Sequence, residues 1–155
     1  MIIRQANIDD LEDILNLFVE TIKHTCRNDY TEEQIEVWTS SAHNIERWEN
    51  KILAQYFIIA EINKEIAGFG SLENENYIDL MYVHKDHLRK GIANRILDAL
   101  MNRAQEYGKN ILSSDVSKTA RPFFERNGFT VIKENEFDMN GVLISNYLMT
   151  NEVDT

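Results

Sequence analysis

The chain has 155 residues, of which 43% are hydrophobic and 27% are charged, which is typical of a folded globular protein and excludes disordered and fibrous classes. Its 26 acidic and 16 basic residues give a net charge of −10. This charge disfavours broad binding to the phosphate backbone of a nucleic acid.

The length and the lack of linkers or repeats predict a single domain over residues 1–155. The longest apolar runs are too short to cross a bilayer, and the N-terminus lacks the pattern of a secretory leader. The one cysteine, Cys26, cannot form an internal disulfide. We therefore expect a cytoplasmic protein with no membrane partner and no nucleic-acid partner.

The first third of the chain is predicted to be one short strand followed by helices. Residues 2–6 form a β-like run, after which Asn7 or Asp9 caps a helix. Thr31 and the acidic residues after it predict the start of a second helix. Apolar residues recur at helical spacing through this region, namely Leu11, Ile14, Leu15, Phe18, Val19, Ile22, Ile35, Trp38, Ile45, Trp48 and Ile52.

From residue 55 the periodicity becomes that of extended strands. Short polar turns separate three predicted strands, which form an antiparallel meander, at 56–60, 66–72 and 77–83. A strongly periodic helix then begins after Gly91 and ends near Gly108.

The last part of the chain is predicted to return to the sheet. A strand covers 110–116, a short helix carries Pro122 in its first turn, and a final hairpin covers 129–133 and 142–149. The crossover between the strands at 77–83 and 110–116 requires these two to be parallel. The element order therefore predicts a mixed sheet flanked by helices.

A basic loop between a strand and a helix is the strongest functional signal. Residues 84–90 hold three of the 16 basic residues and two of the four histidines of this acidic chain. Free backbone N–H groups and the positive end of the dipole make the helix start at Gly91 an anion site, to which Arg89 and Lys90 add charge. The alternative is that Gly91 only eases the turn and that the cations are solvated. The loop lacks the glycine patterns of nucleotide P-loops and of dinucleotide-binding folds.

The segment Arg89-Lys90-Gly91-Ile92-Ala93, placed after a strand and a basic loop, resembles the acetyl-CoA pyrophosphate loop of the GNAT (Gcn5-related N-acetyltransferase) superfamily, Gln/Arg-x-x-Gly-x-Gly/Ala. Residues 117–129 resemble the second CoA-contacting helix of that family, which ends in Gly-Phe. Residues 29–38 and 146–149 further resemble the YafP-like bacterial subgroup. The two CoA motifs stand in the order and separation that the family has.

The resemblance implies an α+β fold with a central mixed, mostly antiparallel sheet of about seven strands flanked by helices. It also implies direct transfer of an acetyl group from acetyl-CoA to a primary amine, with the backbone N–H near Met81 stabilising the oxyanion. The residues implied to contact acetyl-CoA are Met81, Val83, Leu88, Arg89, Lys90, Gly91, Ile92, Ala93, Ser117, Ala120, Phe123 and Phe124. The partner is then a small-molecule or peptide amine, and the protein is a monomer or a homodimer.

Two positions depart from the family pattern. Leu88 replaces the first Gln or Arg of the glycine motif, so the backbone amides of the loop must hold the pyrophosphate. Phe124 replaces the tyrosine that protonates the departing CoA thiolate in many members. This second departure supports an alternative function, a catalytically silent acyl-CoA-binding or regulatory module, while another alternative is transfer of a longer acyl group.

The amine must lose a proton before it attacks, so a general base is required. A period of two along the strand predicts that Tyr77, Asp79, Met81 and Val83 share one face, which makes Asp79 the candidate base on the face that meets the cofactor. The alternative is that Asp79 is only a polar residue beside a water-filled cleft.

Because Phe124 cannot donate a proton, the acid that protonates the CoA thiolate is predicted to be Tyr147 or water. Tyr147 is preferred to Tyr82 because Tyr82 lies on the other face of its strand, although a strand tyrosine is often only a packed residue. Tyr30 and Trp38 are candidates for the wall of the acceptor pocket, or are ordinary core aromatics.

No metal site and no acyl-enzyme are expected. Lys85, Arg89 and Lys90 would repel a cation from His84 and His87, which are three residues apart. Cys26 and the nearby His24 face different ways on a helix, so Cys26 is interpreted as a buried or idle thiol.

Overall fold

The computed structural model describes residues 1–152, which form a seven-stranded sheet with helices on both faces. The strands are β1 (Ile2–Gln5), β2 (Tyr56–Ile62), β3 (Glu65–Glu73), β4 (Tyr77–Val83), β5 (Ile111–Val116), β6 (Thr130–Met139) and β7 (Val142–Glu152). The helices are α1 (Leu11–Thr25), α2 (Glu32–Thr39), α3 (Ile45–Ala54), α4 (Ile92–Glu106) and α5 (Arg121–Arg126). Within residues 1–152, no helix is both long and apolar enough to cross a bilayer.

The strand order is β1-β2-β3-β4-β5-β7-β6, and only the β4–β5 pair is parallel. This arrangement confirms the predicted mixed, mostly antiparallel sheet and the predicted element order. Thr31 caps α2 as expected, since its hydroxyl accepts the N–H of Gln34 at 3.1 Å. Asn7 is also a cap, but it caps a 3₁₀ turn at Ile8–Asp10 that precedes α1.

The two faces of the sheet carry separate hydrophobic clusters. Helices α4 and α5 cover one face, and α1, α2 and α3 cover the other. Helix α4 lies very close to β3, because a Cβ at Gly70 would fall 2.6 Å from Ile96 Cγ2 and a Cβ at Gly68 would fall 3.0 Å from Ile96 Cδ1. The glycines of β3 therefore set the height of α4 above the sheet.

The parallel pairing of β4 with β5 is very short. It joins Tyr77 to Ser113 and Ile78 to Ser114 and then ends, although β4 continues to Val83 and β5 to Val116. Because the two strands diverge beyond these pairs, a gap opens in the middle of the sheet.

A β-bulge at Asp79 changes the direction of the side chains along β4. Ile78 pairs with Leu72 and Leu80 pairs with Ser71, so Asp79 is the extra residue. The predicted alternation is wrong across this point. Met81 and Val83 pack on the α4 side of the sheet, as Ile78 does. Asp79 lies on the opposite side, where it accepts hydrogen bonds from Lys51 and Gln55. A strict period of two fails because the bulge inserts one unpaired residue.

The last hairpin is longer than the sequence predicts. Strand β6 continues to Met139 instead of ending at Lys133, and β7 continues to Glu152 instead of Met149. The polar stretch in β6 has low strand propensity, and it is extended because it pairs with β7 along its length. The turn is made by Asn140 and Gly141, both with positive φ.

Replacing Gly70 by Ala is expected to destabilise the fold by about 1–3 kcal/mol, because the added methyl group overlaps the buried side chain of Ile96. The matched control is the neighbouring Ser71→Ala. The Ser71 hydroxyl is buried without a hydrogen-bond partner among the described residues, so removing it should cost little or stabilise slightly. Urea unfolding followed by circular dichroism measures the stability of both variants. Equal unfolding midpoints would contradict the close approach of α4 to β3.

Candidate functional site

Three connected spaces surround the gap between β4 and β5. An inter-strand cavity of about 140 Å³ lies between the strands and includes Ile78, Met81, Val116 and Phe124 in its wall. An open cleft of about 840 Å³ lies on the side of α3, β6 and β7. A channel of about 190 Å³ lies on the side of α1 and the basic loop. Among the described residues, only Trp38 and Tyr82 line all three.

The channel brings together five of the residues that the sequence assigns to the cofactor. These are Met81, Val83, Leu88, Ser117 and Ala120. Its remaining wall comes mainly from helix α1 and its end, at Thr21, Thr25 and Cys26, and no sequence motif marks these three residues as part of it. Leu88 belongs to the loop before α4, so the channel extends from the gap in the sheet to that loop.

The start of α4 has the geometry of an anion site. Gly91 is the N-cap with a φ of 79°, and Arg89 also has a positive φ, 63°. The first backbone hydrogen bond of the helix runs from Arg95 N to Gly91 O, at 3.1 Å, so the N–H groups of residues 92–94 have no partner within the helix. No atom lies within 4 Å of a Cβ built at Gly91, so the approach to these N–H groups is open.

The edge of β4 that faces the gap presents backbone polar groups. His84 N donates to Ala67 O of β3 at 2.8 Å, whereas Val83 O points the other way and accepts the Thr21 hydroxyl at 3.0 Å. Since backbone groups alternate along a strand, Met81 N–H also faces the gap, where no β5 residue pairs with it. The Val83 carbonyl is thus already bonded within the chain, which the sequence did not predict.

Asp79 lies where the inter-strand cavity and the open cleft meet. Its Oδ2 accepts a hydrogen bond from Lys51 Nζ and a second one from Gln55 Nε2, the latter at 2.9 Å. The side chains of Lys51 and Asp79 are only 14% and 17% exposed. This ion pair fixes the carboxylate between α3 and β4.

A polar cluster closes the base of the gap. The Tyr77 hydroxyl donates to Asp115 Oδ2 at 2.5 Å, and Asn135 Nδ2 donates to Asp115 Oδ1 at 2.7 Å. Burial and the Asp115 carboxylate raise the pKa of Tyr77 well above its usual range. The cluster joins β4, β5 and β6, and no sequence pattern signals it.

Tyr30 joins three segments around the inter-strand cavity. Its hydroxyl donates to Ser145 O of β7 and accepts Lys118 N, both at 2.9 Å, and burial raises its pKa to about 12. Its ring lies 5.3 Å from that of Trp38. Tyr30 and Trp38 both line the inter-strand cavity, and the Tyr30 hydroxyl is hydrogen-bonded within the chain.

The remaining aromatic candidates lie in different places. Phe124 is buried against Phe129, with ring centroids 5.0 Å apart, and lines the inter-strand cavity without offering a hydroxyl. Tyr147 lies on β7 opposite Val116, with the Arg121 guanidinium 4.6 Å from its ring centroid. Among the described residues, Tyr147 is not one of those that line the three spaces.

The chain matches the acetyltransferase (GNAT) domain family over residues 26–151. It is 31% identical to the uncharacterized N-acetyltransferase YafP of Escherichia coli (strain K12) over 147 residues, which cover 95% of this chain and 93% of that protein.

Solved structures share the fold of this chain. A GCN5-related N-acetyltransferase from Rhodopseudomonas palustris has a TM-score of 0.95 at 30% identity, covering 97% of this chain and 94% of that one. The PaiA N-acetyltransferase from Thermoplasma acidophilum, solved in complex with coenzyme A, has a TM-score of 0.80 at 22% identity, covering 97% and 98%.

Proposed function

Because this chain belongs to the GNAT acetyltransferase family, we propose that it moves an acetyl group from acetyl-CoA directly to a primary amine bound in the open cleft. The observation that carries this proposal is the gap between β4 and β5, with an anion site at one end and a polar cleft on the other side. We also propose that residues 1–155 are one acetyltransferase domain that works in the cytoplasm.

The start of α4 supports a site for the CoA pyrophosphate. The unpartnered N–H groups of residues 92–94, the helix dipole and the neighbouring Arg89 and Lys90 all favour a dianionic group. Leu88 lies in the wall of the channel and contributes an apolar surface. The missing Gln or Arg side chain at this position is therefore offset by backbone donors.

The channel supports a site for the pantetheine arm. The arm would run along the free edge of β4, where Met81 N–H and Val83 N–H face the gap. The thioester carbonyl then lies beside Met81 N–H, which donates to the oxyanion of the tetrahedral intermediate. The Thr21 hydroxyl keeps the Val83 carbonyl bonded, so this acceptor is not left without a partner before the cofactor binds.

The open cleft supports an acceptor site for an amine. An alkyl ammonium enters it, loses a proton, and attacks the carbonyl carbon as the neutral amine. Asp79, at the junction of the cleft and the inter-strand cavity, is the proposed base. Lys51 and Gln55 hold its Oδ2, which leaves Oδ1 to face the nitrogen or a bridging water.

Direct transfer requires no acetylated enzyme. Burial raises the pKa of the Cys26 thiol, so the thiol is protonated and weakly nucleophilic near neutral pH. The amine therefore attacks acetyl-CoA itself within a ternary complex.

Replacing Gly91 by Trp is expected to weaken CoA binding at least tenfold, because the side chain would cover the N–H groups at the start of α4. Gly108→Trp is the matched control, since Gly108 follows the end of the same helix, has a similar φ of 71° and is equally open. Both variants carry the same backbone strain, but only Gly91 lies at the proposed anion site. Calorimetric titration with CoA measures the difference, and equal affinities in two folded variants would refute the pyrophosphate site.

Asp79→Asn is expected to remove or shift the acidic limb of the pH–rate profile and to lower kcat, because the amide cannot accept the amine proton. Asp98→Asn, at an exposed carboxylate of α4, is the control and should leave the profile unchanged. If Asp79→Asn lowers only the unfolding midpoint and keeps the wild-type pH profile, then Asp79 is a structural partner of Lys51.

Cys26→Ala is expected to keep kcat within about twofold, and EDTA is expected to have no effect, because direct transfer uses neither an acyl-enzyme nor a metal. Intact-mass spectrometry after incubation with acetyl-CoA alone should show no acetyl adduct. An acetylated Cys26 peptide, or loss of activity with the chelator, would contradict direct transfer.

CoA binding without turnover of any amine in a panel of polyamines, aminoglycosides, amino acids and lysine peptides would instead indicate a catalytically silent binding module.

A further inference from the structure

The departing sulfur takes up a proton, and three candidate positions do not offer one at the gap. Phe124 has no hydroxyl, and the Tyr30 hydroxyl already donates its hydrogen to Ser145 O. Tyr147 lies beyond the three spaces, with its ring against Arg121. The donor must be sought among the groups that reach both the acceptor and the thioester.

Tyr82 meets this requirement by position. It lines the open cleft, the inter-strand cavity and the channel. Its ring is held by edge contacts with Phe18, at 5.1 Å between centroids, and by a tilted contact with Phe69, at 5.6 Å. Within residues 1–152, no hydrogen bond runs from its hydroxyl to an acceptor, so its proton is available to a bound substrate.

The surroundings keep the Tyr82 phenol protonated. Burial is the largest cause of its raised pKa, and the Cys26, Asp79 and Tyr30 groups add to the rise. The group is therefore neutral before the substrates bind.

We propose that Tyr82 passes a proton from the acceptor nitrogen to the departing CoA sulfur, a role that rests on the proposed acetyl transfer. When the tetrahedral intermediate collapses, the C–S bond breaks, its electron pair stays on sulfur, and the sulfur takes the Tyr82 proton. The phenolate then takes a proton from the nitrogen that has bonded to the acetyl carbon.

The protons balance over one cycle. The acceptor ammonium gives its first proton to Asp79 or water before attack, and its second proton passes through Tyr82 to sulfur. The products are the N-acetyl amide, CoA thiol and one released proton, and Tyr82 returns to its neutral form. The bulge at Asp79 places that carboxylate on the same face of β4 as Leu80 and Tyr82, so the proposed base and Tyr82 line the same spaces, whereas Tyr147 lines none of the three.

The decisive variant is Tyr82→Phe, which keeps the ring packing and removes only the hydroxyl. We expect kcat to fall about ten- to a hundredfold, with the calorimetric Kd for CoA unchanged. Tyr107→Phe, at a half-exposed tyrosine after α4, is the control and should keep the wild-type kcat. Tyr147→Phe tests the alternative donor. If kcat falls in Tyr147→Phe but stays at the wild-type value in Tyr82→Phe, the proposal is overturned.

A second measurement separates proton transfer from packing. Site-specific 2,3,5-trifluorotyrosine at position 82 keeps the hydroxyl but makes the phenol far more acidic. A donor must be protonated, so this substitution should introduce a basic limb in the pH–rate profile, at a pH where the wild type has none. An unchanged profile overturns the proton-transfer role.

These outcomes are distinct from failure of the proposed function. Wild-type turnover of at least one amine in the panel establishes acetyl transfer before the variants are compared. Wild-type turnover together with full activity in Tyr82→Phe removes only the role of Tyr82, whereas no wild-type turnover overturns both proposals.

Discussion

The parallel ladder between β4 and β5 ends after two residue pairs, and the site depends on that early end. Had the ladder continued to Val83, the backbone groups of β4 would be bonded to β5 and the sheet would be closed. Because it stops at Ile78, an edge of β4 remains free inside the molecule. The free edge, the channel and the cleft are three consequences of the same missing pairs.

Several hydrogen bonds stabilise the separation of β4 from β5 beyond Ile78. The cluster of Tyr77, Asp115 and Asn135 ties three strands together below the gap, and Ser114 Oγ donates to Ile78 O at 2.8 Å at its base. Above it, the bulge at Asp79 turns β4, while Tyr30 connects β7 to the loop before α5. The gap is therefore a fixed part of the fold, held open by hydrogen bonds at both ends.

Much of this architecture can be predicted from local sequence. Periodicity predicts the element order, and the glycine after the basic loop predicts where α4 begins, because both signals lie within a few residues. Strand parity across Asp79 cannot be predicted in this way, since a bulge depends on the register with β3. The contacts of Thr21 with Val83 and of Tyr77 with Asp115 join residues 62 and 38 positions apart, and nothing in either segment marks its partner. Tyr82 lies on the face opposite Met81 and Val83, as parity predicts, but the bulge moves Asp79 to the face of Tyr82, which parity does not predict.

The free edge of β4 also bears on how the chain avoids self-association. Unpaired strand edges are templates for pairing with other chains, and proteins usually protect them with charges, prolines or bulges. Here the unpaired edge lies in the interior of the sheet. Helices α1 and α2 cover one side of the gap, where Thr21 and Trp38 line the channel. The edge therefore borders a channel of about 190 Å³ within the fold and does not lie at the rim of the sheet, where another polypeptide could pair with it.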